Sequence, residues 1–205
     1  MMQTMSFITF IILLQSIVQS SSITLNSNVT KCLSDLVTQE FSSSYNYLQL
    51  SSKFGATNAY PGFSSLFIKF SDDDSSKAHD IIKFLTLRKA KLDRLIHTNG
   101  IRIRNEITNT LNIFNGLTEA RKQNKETWNI VVRCHHEAEK INEANVQDYL
   151  ETHILEYHIE INKLLADFEN RLAQAPTISE KELIIFMLDE ELLNTYGDRR
   201  QDIFS

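Results

Sequence analysis

Glu40 falls on the apolar stripe of a helical pattern, seven residues from both Leu33 and Tyr47, so its carboxylate is aimed into a core and demands a partner there. An inward carboxylate is one component of a two-metal site, which in a four-helix bundle takes glutamates from two helices and Glu-x-x-His pairs from the others. The chain contains no Glu-x-x-His. Asp148 and Glu151 stand one turn apart near a helix start, where two acids either favour the helix dipole or project together toward a neighbouring surface. Asp72, Asp73 and Asp74 form a run that reads as a solvated face or as hard oxygen ligands for a metal ion. His135 and His136 follow Cys134 at a helix end and suggest a soft metal site, but adjacent helical residues diverge by about 100°, which argues against a shared one.

The elements that must position these groups are helices. Pro 2 and Gly 5 in 205 residues are low counts of the residues that interrupt helices and make turns. Leu33, Leu36, Val37, Glu40, Ser44, Tyr47 and Leu48 recur at helical spacing from Cys32 to Phe54, the first long helix. Asn58 to Gly62 reads as a break, with Pro61 able to open the next helix in its first turn. The second helix is expected from Phe63 to Ile96, ending at Thr98-Asn99-Gly100. Ile101 to Ile107 reads as a connection crossing the body. The period returns from Thr110 to Ala138, and again over Leu150 to Leu172, where Ala175-Pro176 stops it. A short fifth helix, Ser179 to Leu193, begins with Ser179 and Glu182 as a capping box and is apolar nearly all round. Ser42-Ser43-Ser44 reads as small packing residues. Four long helices, one long crossover and a fifth short helix define an all-α, ferritin-like bundle and not an up-and-down one.

A formal net charge of -5 without a dense basic patch disfavours nucleic-acid binding. The apolar run from Ser6 to Val18 is too short to span a bilayer and reads, with the small residues after it, as a signal peptide over residues 1–20, cleaved between Gln19 and Ser22. A secretory or extracellular location follows, without membrane attachment. Asn28-Val29-Thr30 is a glycosylation sequon in the N-terminal extension, residues 21–31. The two cysteines suit one internal bridge or two separate fates. Cys32 lies near the mature terminus and Cys134 within a later helix, and an intersubunit disulfide at Cys32 is the expectation.

Several separated segments resemble ferritin over roughly Asn26 to Gly197. They are Gln39 to Leu48 with its glutamate and paired tyrosines, Asp148-Tyr149-Leu150-Glu151-Thr152-His153-Ile154-Leu155, Arg133 to Ala138, and Leu183 to Gly197. The resemblance implies a bundle over residues 32–197 with a tail at 198–205, and a place beside heavy-type subunits in a hollow shell of twenty-four. Iron would be the cargo, Fe²⁺ in transit and Fe³⁺ in the mineral. The signal segment and Cys32 match the secreted insect type.

The resemblance also supplies the site. Glu40 matches a family iron ligand, Asp74 stands where the second helix carries a glutamate, and Lys77 where catalytic subunits carry a histidine. Asn124 replaces a third-helix glutamate and His158 a fourth-helix glutamine. Protonated lysine has no lone pair to give and repels Fe²⁺, although it can pair with Glu40 or Asp74. Glu40, Tyr47, Asp74 and Lys77 are therefore expected to form a buried polar network in place of an oxidation centre. His158 remains a possible ligand. Asp148 and Glu151 match the acids of the family's three-fold pore, and Asp72 and Asp73 lie where light-type subunits nucleate mineral. The expected protein is a light-chain-like, non-enzymatic ferritin subunit. The alternatives are a catalytic heavy-type subunit and a secreted four-helix signalling ligand.

Overall fold

The computed structural model describes residues 24–57, 59–90, 100–109 and 112–199. The expected signal peptide and most of the C-terminal tail lie outside the described residues. Four long helical segments form the bundle: α1, Ser27–Ser52; α2, Pro61–Leu87; α3, Ile113–Glu139; and a fourth built from α4, Ala144–Leu150, a π-helical turn Glu151–Leu155 and α5, Glu156–Ala173. A last helix, α6, Ile178–Tyr196, follows them. Among the described residues no helix is long and apolar enough to cross a membrane.

Directions follow from which residues meet. Ser51 bonds Ser64 at one end of the α1–α2 pair and the Leu25 N–H donates to the Arg88 carbonyl at the other, so those helices are antiparallel. Cys32 near the start of α1 is bonded to Cys134 near the end of α3, which makes that pair antiparallel too. Both α2 and α3 thus run against α1 and parallel to each other. A helix of this length spans about 40 Å, and the chain leaving α2 has to return that distance before α3 begins. Described residues of this crossover are strapped to α1. Ser42 Oγ donates to the Gly100 carbonyl and accepts from Arg102 N, while Asn46 donates to the Arg102 carbonyl and accepts from Arg104 N.

The serines of α1 do more than pack. Successive residues on a helix point about 100° apart, so Ser42 faces the crossover, Ser43 bonds Thr127 of α3 at 3.1 Å, and Ser44 bonds Ser71 of α2 at 3.1 Å. Small hydroxyls at these positions let α1 approach three neighbours while satisfying each other's polar atoms.

Several boundaries differ from the sequence reading. The first helix starts before Cys32, because Asn26 caps it by accepting from Asn28 N and Val29 is fully buried. Asn28 is exposed in that first turn, whereas Thr30 of its sequon is buried. The second helix ends at Leu87 and not near Ile96, since Arg88 turns away to Glu143 and Asn145 and Lys89 takes a left-handed φ of 48°. Pro61 does open it. The cap of the last helix is Thr177 with Glu180, not Ser179 with Glu182. Both quartets fit the pattern; Thr177, directly after Pro176, already has the extended backbone a cap needs.

The fourth segment carries its buried residues at Val146, Leu150, Ile154 and His158. Steps of four residues drift by about 40° each on an α-helix, and three in succession would carry the stripe off the core. The wider π-helical turn at Glu151–Leu155 absorbs that drift. At the other end α6 lies against α2, with Asp189 Oδ1 accepting from Phe63 N at 2.9 Å. A Cβ on Gly62 would sit 1.9 Å from the Asp189 carbonyl oxygen, so only glycine permits that approach.

The expected intersubunit bond at Cys32 is corrected by the structure. Cys32 is joined to Cys134 within the chain, across a separation of 102 residues, and neither cysteine is left for a neighbour. Helical register brings them together: both are buried on the facing stripes of α1 and α3. Closing a loop of that length in the unfolded chain is worth about 4–5 kcal/mol on the entropic account. Replacing both cysteines by serine should lower stability by about 2–5 kcal/mol in chemical unfolding. Peptide mapping under non-reducing conditions should recover one Cys32–Cys134 peptide, and recovery of Cys32 crosslinked to another chain would refute the pairing.

Candidate functional site

Two apolar clusters fill the bundle. One contains Leu50, Phe54, Phe63, Phe67, Leu117, Leu165 and Leu188, the other Leu33, Leu36, Ile81, Val131, Cys134, Leu150 and Ile154. Between them, at mid-bundle, four helices each contribute buried polar side chains: Glu40 from α1, Asp74 from α2, Gln123, Asn124 and Thr127 from α3, and His158 from α5.

The sequence offered Lys77 as a partner for Glu40, and the structure supplies His158 instead. Nε2 of His158 lies 3.0 Å from Glu40 Oε1, and its Nδ1 lies 2.7 Å from Asn124 Oδ1. Asn124 Nδ2 donates to the His158 carbonyl at 2.7 Å, which fixes the amide so that its oxygen faces the ring. Nδ1 therefore carries a hydrogen. One hydrogen on the line between Nε2 and Glu40 Oε1 satisfies both atoms. Both ring nitrogens are engaged, and His158 presents no lone pair to a metal.

Asp74 is held separately. The half-buried Tyr157 hydroxyl donates to its Oδ1 at 2.9 Å. Oδ2 of Asp74 and Oε2 of Glu40 are buried with no hydrogen-bond partner among the described residues. Burial, and after it the charge of Glu40, hold the Asp74 carboxyl well above the usual carboxylate range. Tyr157 is pushed up for the same kind of reason, burial first and Asp74 next.

Lys77 does not close the ion pair the sequence allowed it. Its ammonium stands over the Tyr157 ring, 5.0 Å from the centroid, a cation–π contact, and among the described residues it has no salt bridge to Glu40 or Asp74. Tyr47 stands beside the layer, its hydroxyl donating to the Ala120 carbonyl over a long 3.5 Å. The expected network is thus split into two arms, Glu40–His158–Asn124 and Asp74–Tyr157–Lys77. Tyr157 and Gln123 were missed in the sequence. Gln123, which donates to the Ser43 carbonyl at 3.2 Å, sits four residues before Thr127 on the buried stripe, and that spacing was the available signal.

A groove of about 710 Å³ between α3 and α5 reaches Asn124 and His158, and Arg121, Lys122, Lys125 and Trp128 line it. Elsewhere the acids disperse. Asp73 is bound by Lys69 at 2.6 Å and Asp72 by Arg199 at 2.8 Å, while Asp74 is turned into the core, so the run does not form one three-carboxylate surface. Asp148 is exposed on α4, and Glu151, exposed at the first position of the π-helical turn, lies 2.6 Å from His135 Nε2.

Two measurements follow from the layer. In the pH range above the ordinary aspartate value, folded Asp74 keeps a proton that the unfolded chain releases, so its contribution to stability falls as pH rises. Each tenfold difference in proton affinity is worth about 1.4 kcal/mol. Asp74→Asn should therefore gain stability over the unmodified chain as pH rises above about 4, read as a widening gap between urea midpoints; parallel midpoints would contradict the raised Asp74 carboxyl. His158→Ala strands Glu40 in the core and should cost about 3–5 kcal/mol, while His158→Gln, which can still donate to Glu40, should cost clearly less in the same unfolding assay.

The comparisons with known proteins agree with this architecture. Residues 30–175 match the model of the ferritin-like domain. The chain is also similar to the ferritin light chain of Trichoplusia ni, with 30% identity over 161 residues, covering 74% of this chain and 69% of that protein. With the family model spanning all four bundle helices and a light chain as relative, the helices that hold Glu40, Asp74, Asn124 and His158 are those of a light-chain-like member of the ferritin family of iron-storage proteins.

Proposed function

We propose that this chain is a light-type subunit of a secreted, twenty-four-subunit ferritin shell, contributing wall, pore and mineral-facing surface beside heavy-type subunits that oxidise the iron. The observation that carries the non-catalytic part is the state of the mid-bundle layer. Oxidation of Fe²⁺ at a pair of irons needs several carboxylates and imidazoles with lone pairs converging on open positions. Here His158 spends both nitrogens on Asn124 and Glu40. Asp74 is favoured in its neutral form, and the ammonium of Lys77 stands close by over Tyr157. The groove that reaches this layer is lined by Arg121, Lys122, Lys125 and Glu169; Arg121 is paired with Glu169 at 2.6 Å, and the two lysines leave the lining net positive, which disfavours a divalent cation.

Other features support the shell. Leu183, Phe186 and Met187 of α6 are exposed, each by more than half, and an apolar face on a packed helix calls for a neighbouring subunit. Asp148 and Glu151 stand exposed one turn apart, placed for stacked rings of negative charge about a three-fold axis that would draw Fe²⁺ inward. Asp72 and Asp73 offer oxygen ligands to mineral, although each carboxylate already holds a cation of this chain. Secretion is supported by the expected leader and by a disulfide, a bond that persists in oxidising compartments.

Single-turnover oxygen consumption on adding Fe²⁺ tests the assignment. Shells of this chain alone should show no fast, saturable phase. A variant with Asp74→Glu, Lys77→His and Asn124→Glu restores the family's ligand types, and His158→Gln added to it releases Glu40; the fourfold variant should gain such a phase. Rapid saturable consumption by the unmodified chain would overturn the light-type reading.

A further inference from the structure

The last turn of α3 carries a cluster that the iron-storage reading does not use. We infer that His135, His136 and Glu139 form a binding site for a borderline divalent transition metal, Cu²⁺ or Zn²⁺, on the surface of the single subunit. Among the described residues these three each bring one ligand atom to within 4.8 Å of the others. The divergence of about 100° between adjacent helical residues is real, and the two rings stand 6.1 Å apart at 82°. Glu139 resolves it. It is four residues from His135 and three from His136, the two spacings that meet on one helix face, so its carboxylate sits astride both imidazoles. Its Oε2 already lies 3.2 Å from His136 Nδ1.

Two further observations favour a cation. His135 Nε2 is 2.6 Å from Glu151 Oε1, so the carboxylate takes the Nε2 hydrogen and leaves Nδ1 with the lone pair, the support that metal-binding histidines ordinarily receive from a carboxylate behind them. The α3 carboxyl end also carries the negative pole of its helix dipole. Nearby cations are occupied: Lys140 is paired with Glu137 at 2.6 Å and Arg133 with Asp35 at 3.1 Å. Ligand bonds of about 2.0–2.2 Å require the three side chains to close by about an ångström from their present separation. Exposure of His136 and Glu139, each 63%, leaves them free to do so.

The donor set decides the metal. Cys134 is buried in its disulfide and gives no thiolate. Two imidazoles and one carboxylate suit Cu²⁺ and Zn²⁺ above Fe²⁺ in the usual affinity order, so the site discriminates against the stored ion. It is assembled within one chain and does not depend on the shell.

The test uses the mature chain, stripped of metal by a chelator, in whatever assembly it adopts. Titration calorimetry with Zn²⁺ should show one site per chain, weakened at least tenfold by His136→Ala and by Glu139→Gln. The Cu²⁺ complex should show electron paramagnetic coupling to two nitrogens in the unmodified chain and to one in His136→Ala, whereas an ion held on Glu151 could reach one nitrogen at most, that of His135. Thermal unfolding without metal should be unchanged in both variants, since the substituted side chains are exposed. Zn²⁺ affinity that survives both substitutions, absence of Zn²⁺ binding, or a Cu²⁺ spectrum without nitrogen coupling would each overturn the site.

Discussion

A carboxylate buried in the middle of a helical bundle is the constraint around which this structure is arranged. Glu40 is fully buried, and an isolated charge there would cost several kcal/mol. Its resolution needs one residue from each of two further helices: His158 shares a hydrogen bond with it through Nε2, and Asn124 fixes the imidazole's orientation through Nδ1 and the backbone carbonyl. Alternative registers of α3 or α5 would break that chain of bonds, so the layer selects one alignment of the helices where the apolar clusters on either side would tolerate several. Asp74, one helix away, takes the other course open to a buried acid: burial, and after it the charge of Glu40, hold its carboxyl well above the usual carboxylate range.

On the light-type function proposed above, the same layer lets a bundle of the metal-binding type persist as a scaffold without an oxidation centre. Removing ligands one at a time from such a site would leave unpaired groups in the core. Here the replacements compensate one another. Asn124 and His158 satisfy each other, and the hydrocarbon stem and charge of Lys77 are absorbed by the face of Tyr157. On that reading stability and the loss of oxidation chemistry have one cause, since the bonds that satisfy the interior are those that occupy its ligands.

Much of this was legible in the sequence. The 3.6-residue periodicity gave the helices, and the apolar stripe of the first gave Leu33, Leu36 and Val37 as core. The position of Glu40 on such a stripe announced a buried carboxylate. Its partner was not legible, because nothing local to Glu40 says which of the other helices faces it, and His158 lies 118 residues away. The pairing of Cys32 with Cys134 failed for the same reason: proximity to a chain terminus is a local property, and the facing of two helices is not. Lys77 was expected at a carboxylate, yet a half-buried ring beside it offered its charge a contact without full desolvation. The placement of the Asp148–Glu151 pair at a pore, and the leader, rest on likeness and pattern alone.

The π-helical turn at Glu151–Leu155 has a mechanical consequence. Asp148 precedes it, Glu151 is its first residue and His158 lies beyond it, on one continuous rod. The extra residue in that turn sets the angular phase between them, like the offset between two cams on a shaft. Winding that turn as ordinary α-helix without removing a residue would leave the composition intact but rotate Asp148 by about 100° against the buried histidine. The surface charge of α4 and the interior of the bundle are thus timed to each other by one residue.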